Sequence, residues 1–405
     1  MSDRPSTLGR WLRRHSLTLI AVLGGASGLA YAATQHGRPP AVHTSAGAAA
    51  AAEPVLDNVR DTVQIAILLD TSGSMDGLIN QARSHLWNMV DKMGQMTRVV
   101  NGKTRGVRVE LALYEYGNAG LPETSGFIRQ VLPLTTDLDK VSEELHRLST
   151  NGGDEFAGQA IQTAVQSLQW STDPAALKFV FVAGNEEFTQ GPISPADAMA
   201  AAKGKDIQVQ LIHCGSSDST WSQAAALAHT DLTTIDQNQV AQHIPAPQDD
   251  EILRLGAELN STYMPYGATG AASQERQAKA DFSSAKLSPK VAIERAQLKR
   301  KAAYRNESWD VVDAVTTDPK FLGKIEDKNL PSELQGKSIE EKKAIVAAKA
   351  AARNATKAKL AKLEAERATF LAAERAKQGG KEEKSLDTEI MKSATKAATA
   401  KGYKF

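Results

Sequence analysis

Val63-Gln64-Ile65-Ala66-Ile67-Leu68-Leu69 runs straight into Asp70-Thr71-Ser72-Gly73-Ser74-Met75. The first seven residues are almost continuously apolar, which suits a strand covered on both faces. The next stretch places a carboxylate and two hydroxyls at alternate positions, Asp70, Ser72 and Ser74, separated by Thr71 and Gly73. Behind it, Leu78, Ala82, Leu86, Met89, Val90 and Met93 recur at helical spacing and predict an amphipathic helix. A buried strand, a polar turn and a helix form the opening unit of an alternating α/β fold.

The alternation continues downstream. Strands are expected at 107–116, 126–134, 178–183, 207–213 and 231–235. Between them lie helices at 138–148, capped by Asp137, and at 156–168, 195–203 and 221–228. The expected fold class is α/β, with a doubly wound, mostly parallel sheet and an α-helical C-terminal extension. Such sheets bind ligands outside the C-terminal ends of their strands, which directs attention to Asp70, Ser72 and Ser74. All three offer hard oxygen donors, suited to Mg²⁺, Mn²⁺ or Ca²⁺. The competing reading is a capped strand-to-helix turn, in which Ser74 or Asp76 satisfies free N–H groups of the helix.

Val63 to Met75 resembles the opening strand and metal loop of a von Willebrand factor type A domain. Asp70, Ser72 and Ser74 match the Asp-x-Ser-x-Ser motif of that family's metal-ion-dependent adhesion site (MIDAS) residue by residue. The resemblance covers residues 58–245. It implies binding of a protein partner assisted by a divalent cation, Mg²⁺ before Mn²⁺ or Ca²⁺, often with an acidic residue of the partner completing the coordination. The family's second loop offers a Thr, and here that position falls on Glu155, next to Asp154. These two acids have a plainer reading as helix N-terminal residues. The third loop should end in an Asp, and here Gly184-Asn185-Glu186-Glu187-Phe188 stands instead, with Asn185 or Glu186 as the candidate donor. More carboxylate would raise cation affinity and leave less positive charge for an acidic partner. The segments 184–191 and 211–215 also resemble exported bacterial proteins of no defined activity that carry this domain.

Composition bounds the remaining chemistry. The chain of 405 residues is 41% hydrophobic and 5% aromatic, so its core is aliphatic. Residues 54–250 carry a net −11 and residues 337–405 a net +8, which argues against a nucleic-acid protein. One cysteine rules out an intramolecular disulfide and a Cys-based zinc site. That residue, Cys214, has the position of a small buried thiol. The histidines show no paired metal spacing. There is no Gly-x-Ser-x-Gly elbow and no phosphate-binding loop, so the expectation is a binding protein rather than an enzyme. A less favoured alternative is a hydrolase using the cation as Lewis acid, with Glu155 or Glu186 as base.

The flanks complete the plan. Arg4, Arg10, Arg13 and Arg14 precede an apolar run and Ala30-Tyr31-Ala32, so residues 1–32 read as a secretory signal or an uncleaved anchor in the inner membrane. The rest of the chain is then periplasmic or secreted. Residues 33–57 read as a flexible linker, 246–336 as a helical extension folding back on the sheet, and 337–378 as a long Ala/Lys/Glu-rich helix. That helix opens at the capping box Ser338-Ile339-Glu340-Glu341. It has the composition of a coiled coil but a thin apolar stripe, so it is expected to stand in solvent or to dock on a partner. Residues 379–405 are expected to form a flexible tail. A second functional reading follows, a metal-free envelope scaffold that works through this basic arm.

Overall fold

The computed structural model describes residues 60–405 except 217, 237, 239–242 and 378–385, together with the side chains of Leu386 and Glu389. The expected signal and linker, residues 1–57, lie outside the described residues. Among the described residues no helix is long and apolar enough to cross a membrane.

The opening strand is β1 (Asp61–Asp70), and α1 (Asp76–Gly94) follows its turn. Next come β2 (Thr97–Val100), β3 (Lys103–Tyr116), β4 (Ile128–Thr135), α2 (Leu138–Arg147) and α3 (Ala157–Ser167). The alternation then runs β5 (Leu177–Gly184), α4 (Pro195–Gly204), β6 (Gln208–Cys214), α5 (Ser219–Ala228) and β7 (Thr233–Ile235). The extension holds α6 (Asp249–Asn260), α7 (Gly270–Leu287), α8 (Pro289–Arg300), α9 (Val311–Thr317) and α10 (Phe321–Lys324). The chain closes with α11 (Ile339–Lys377), α12 (Leu386–Ala400) and β8 (Tyr403–Lys404).

Strand order across the sheet is β7-β6-β5-β1-β3-β2-β8, with β4 also paired to β3. β1 runs parallel to both β3 and β5, and β5, β6 and β7 are parallel in turn. The expected mostly parallel, doubly wound sheet is present. The chain winds out from β1 through β3 and later returns to β1's other side at β5. The switch point therefore lies between the C-terminal ends of β1 and β5, where Asp70 stands near Gly184.

The apolar run of β1 serves two cores. Val63, Ile65, Ile67 and Leu69 face one side with α1, while Ala66 and Leu68 face the other with α3, α4 and α5. This strict alternation follows from the two-residue period of a strand. β3 begins earlier than expected because Asn101 and Gly102, at φ 51° and 75°, close a tight hairpin between β2 and β3. Left-handed residues at both turn positions suit the twist of the flanking strands.

The extension packs chiefly on helices rather than on the sheet. α7 lies on α2, and α8 lies on α1. Trp87 of α1 donates to Ser284 at 2.8 Å, and Tyr304 donates to Asp139 of α2 at 2.6 Å. Arg295 is 1% exposed and pairs with Asp139 at 2.7 Å and Asp281 at 2.8 Å. Its guanidinium also sits over the rings of Trp87 and Tyr304. Burial disfavours the Asp281 charge, but Lys299 and Arg295 outweigh it and hold the carboxyl at about 2. Trp309 is a packing anchor, stacked on Tyr263.

The long basic helix does not stand free. The capping box forms as expected, with Glu341 accepting from the Ser338 backbone at 2.8 Å. α11 then lies against α6, α8 and α9 and buries Val346, Arg353, Thr356, Leu360 and Arg367. Arg353 reaches Asp310 at 2.7 Å, Asp313 at 2.8 Å and the Thr262 carbonyl at 2.8 Å. Arg367 reaches Asp249 at 2.6 Å. The stripe is too thin for a seam between equals, but two buried arginines with waiting carboxylates fix the helix to its own chain.

The expected flexible tail is also corrected, for residues 386–405. α12 lies on α1 beside β5 and β6, and Ile390, Met391, Ala394, Ala397 and Ala398 join the core that holds Phe179 and Phe181. Asp387 pairs with His85 at 2.9 Å. β8 then adds to the sheet edge, pairing with Thr97 and Arg98 of β2. Lys401 binds Asp206 at 2.6 Å, and Tyr403 donates to the Ala175 carbonyl at 2.9 Å. The last helix thus supplies part of the cover over β5 and β6. Deleting residues 378–405 is expected to lower the unfolding free energy by at least ~3 kcal/mol, since Ile390, Met391 and Tyr403 leave the core. It should also raise binding of an apolar dye. Urea unfolding of the full and shortened chains checks this, and an unchanged midpoint would show the segment to be dispensable.

Candidate metal site at the switch point

Asp70 ends β1 at 0% exposure, its register partner being Tyr116 on β3. The Ser72 backbone N–H donates to Asp70 Oδ1 at 2.7 Å, which folds the turn back over the carboxylate. Among the described residues Asp70 Oδ2 and the Ser72 hydroxyl are buried with no well-formed hydrogen bond, although the Ser72 hydroxyl lies close enough to Asp70 and Glu155 to favour their charged forms. Ser74 stands exposed at the rim, where its hydroxyl accepts from the Asn185 side-chain amide at 3.2 Å. That bond ties the first loop to the loop after β5. Among the described residues the Asn185 Oδ1 atom is also buried without a hydrogen-bond partner.

The loop before α3 supplies a second carboxylate. The Asn151 backbone N–H donates to the Thr71 carbonyl at 3.0 Å, which docks this loop on the first. Glu155 is buried, and its backbone N–H donates to Gln190 at 3.3 Å. Gly117, at φ +76°, shows how close Glu155 comes to Asp70. A Cβ there would meet Glu155 Cγ at 2.7 Å and Asp70 Oδ1 at 2.9 Å. Only glycine satisfies both the left-handed backbone and the crowding. Gly184 has a similar role at the end of β5, where a side chain would collide with the Tyr116 hydroxyl and crowd Asp70 Oδ2.

Burial and nearby charge disturb both carboxylates. Burial pushes Asp70 up to about 7 against the Ser72 hydrogen bonds, and the Glu186 charge adds to the rise. Burial also pushes Glu155 up to about 7, with the charges of Asp70, Glu186 and Asp154 contributing. The two acids thus stand ready for a counter-cation. Among the described residues no three His, Cys, Asp or Glu side chains gather closely enough to hold a metal by themselves. An ion here has to draw on hydroxyl and amide oxygens as well.

The structure therefore brings together Asp70, Ser72, Ser74, Glu155 and Asn185. Asp154 and Glu186 remain exposed at the rim and act through charge. The Glu186 carbonyl has a structural task, accepting from Trp221 at 2.6 Å. The plain-turn reading fits less well. α1 begins from Met75, which offers no side-chain cap, while Asp76 accepts from Thr150 at 2.7 Å. Glu155 likewise precedes the first turn of α3, which begins from Phe156. Sequence reasoning missed Tyr116, Gly117 and Gly184; a glycine directly after an apolar strand was the available signal. His213 is a support residue whose Nε2 meets the Asn185 carbonyl at 3.2 Å. Burial, with the Asp70 charge, pushes the Cys214 thiol up to about 12 and makes it inert as a nucleophile at neutral pH.

A doubly wound sheet with three loops meeting at its switch point defines this α/β domain. Residues 64–243 match the von Willebrand factor type A domain family, and the chain carries a domain of that family. Domains of this family generally mediate protein–protein interaction, and they often bind a divalent cation at the loops assembled here. Solved structures share the likeness at low identity. Proximal thread matrix protein 1 from the mussel byssus, with a zinc-occupied MIDAS motif, is 13% identical at a TM-score of 0.34, over 46% of this chain and 44% of that one. A von Willebrand factor type A protein from Catenulispora acidiphila is 18% identical at 0.33, over 44% and 39%. The SpRpn10 VWA domain is 16% identical at 0.32, over 44% and 88%. The chain thus spans less than half the length of the mussel and Catenulispora structures. No curated protein matches.

The carboxylate pair has a consequence for stability. Folded-state values near 7 lie above those of an unfolded chain, roughly 4. The stability they permit is full below roughly pH 4 and is lost as pH rises through about 7. In chelator the melting temperature should therefore fall between pH 5 and pH 8. Asp70→Asn should flatten much of that fall and raise stability at pH 8 by a few kcal/mol. A flat profile for the wild-type protein in chelator would contradict the assignment.

Proposed function

We propose that this is an exported protein of the cell envelope that binds a protein partner through the face around Asp70, Ser72 and Ser74, with a divalent cation held there. The observation that carries the reading is that Asp70 Oδ2, Ser72 Oγ and Asn185 Oδ1 are buried and, among the described residues, none has a well-formed hydrogen bond. Buried polar atoms seldom lack such bonds, and oxygens left without them suit a ligand. The donors are all oxygen, which favours Mg²⁺, with Mn²⁺ and Ca²⁺ as alternatives. The residues that would hold the ion are Asp70, Ser72, Ser74 and Asn185, with Glu155 facing them. When bound, the cation would supply positive charge at this face. Asp70 anchors from below, Asn185 and Ser74 join two loops across the opening, and Tyr116 and Gly184 hold the floor closed.

The basic and apolar N-terminal sequence supports export, and with it a periplasmic or secreted location. An uncleaved segment would attach it to the inner membrane. The reading is of a binding protein because domains of this family generally mediate protein–protein interaction. A partner bound here would meet residues on three loops, all held by hydrogen bonds before it arrives.

Calorimetric titration of the protein with Mg²⁺, Mn²⁺ and Ca²⁺, beside Asp70→Ala, tests the reading. Binding of at least one cation, lost in the variant, is expected. A folded wild-type protein that takes up no cation would contradict it, and the exposed lysines of α11 would then become the surface to pursue.

A further inference from the structure

Glu155 stands where the resemblance to the family places a hydroxyl-bearing Thr. Its side chain is buried rather than turned to solvent, and a single methyl-sized group at Gly117 would touch both Glu155 Cγ and Asp70 Oδ1. The loop bearing it is fixed on both sides, by Asn151 to Thr71 and by Glu155 to Gln190. Phe156 holds the next position, edge-on to Phe127 with ring centroids 5.9 Å apart. The Glu155 side chain is thus held beside Asp70 by a packed loop.

Resting on the cation reading above, we propose that Glu155 is a direct ligand that closes the metal's coordination from within the chain, so that the partner at this face is neutral or basic rather than a donor of a carboxylate. Two carboxylates, Asp70 and Glu155, cancel the charge of a divalent cation. The ion then has little attraction left for a third. The exposed Asp154 and Glu186 add negative charge at the rim, and the domain as a whole is acidic, at net −11 over residues 54–250. An acidic side chain approaching this face meets repulsion, whereas a Lys or Arg meets steering. A hydroxyl at position 155 would leave the ion one charge short of neutral, which is the condition under which a partner's carboxylate is attracted.

The test uses Mn²⁺ and acetate, the latter standing for a partner's acidic side chain. Mn²⁺ affinity is measured by calorimetry for the full chain and for Glu155→Thr and Glu155→Gln, with circular dichroism confirming the fold. Water-proton relaxation of the loaded proteins then reports displacement of bound water by acetate. The expected result is a loss of Mn²⁺ affinity on the order of tenfold or more in both variants, since charge count sets affinity at oxygen sites. Acetate should displace water from Glu155→Thr at far lower concentration than from wild type. Unchanged Mn²⁺ affinity in both variants would overturn the ligand role. Equal acetate response in wild type and Glu155→Thr would overturn the partner assignment. Wild-type protein that binds no Mn²⁺ would instead remove the cation reading on which the inference rests.

Discussion

A carboxylate buried at the end of a central strand, without a counter-charge, sets the terms for the rest of this structure. Asp70 is closed in by Tyr116, Gly117, Gly184 and its own turn. Leaving such a group charged in a poorly solvated place is costly. A chain that only needed a strand-to-helix turn has cheaper residues for it. The neighbouring glycines keep clear the space around the carboxylate. The three loops are then locked to one another by Thr71, Asn151, Ser74 and Asn185. The site is arranged before any ligand arrives, which is the condition for using binding energy on the partner rather than on ordering loops.

The helical half of the chain serves this arrangement at a distance. α1 rises from the loop of Asp70, Ser72 and Ser74, and its outer side is gripped by α8, by α12 and by the Trp87–Ser284 bond. Arg295 and Arg353 are buried cations with carboxylates on two sides. Buried ion pairs are weak evidence of stability, but they fix which helix lies on which. They join segments far apart in sequence into one body with the domain. The return of α12 to the sheet has the same meaning. The last helix covers strands laid down nearly two hundred residues earlier, so the domain and its extension form one folding unit.

Much of the fold was legible because β1 and β5 are short, almost wholly apolar runs, and a sheet buried on both faces has no other way to be written. Helix α2 of the domain was marked by its cap, Asp137. What stayed hidden depended on long-range partners. α12 is poor in large apolar residues and reads as a solvated end; its place is set by Asp387 meeting His85 and by alanines fitting against α1. β8 has two residues and no periodicity to detect. At the site, Asp70, Ser72 and Ser74 were legible from spacing. The choice between Asp154 and Glu155 was not, since adjacent acids look alike until the backbone turns one inward. Asn185 and Glu186 posed the same problem after β5, and there the amide lies inside while the carboxylate stays at the rim.

The central claim is that the buried Asp70 carboxylate holds a cation. The most direct measurement is an anomalous-scattering map from crystals of the protein grown at neutral pH and soaked in Mn²⁺. The account predicts one strong peak at the switch point, with Asp70 and the Ser72 and Ser74 hydroxyls around it and the Glu155 carboxylate turned toward it. An ordered crevice with no peak, and with Asp70 and Glu155 sharing a proton across it, would contradict the account.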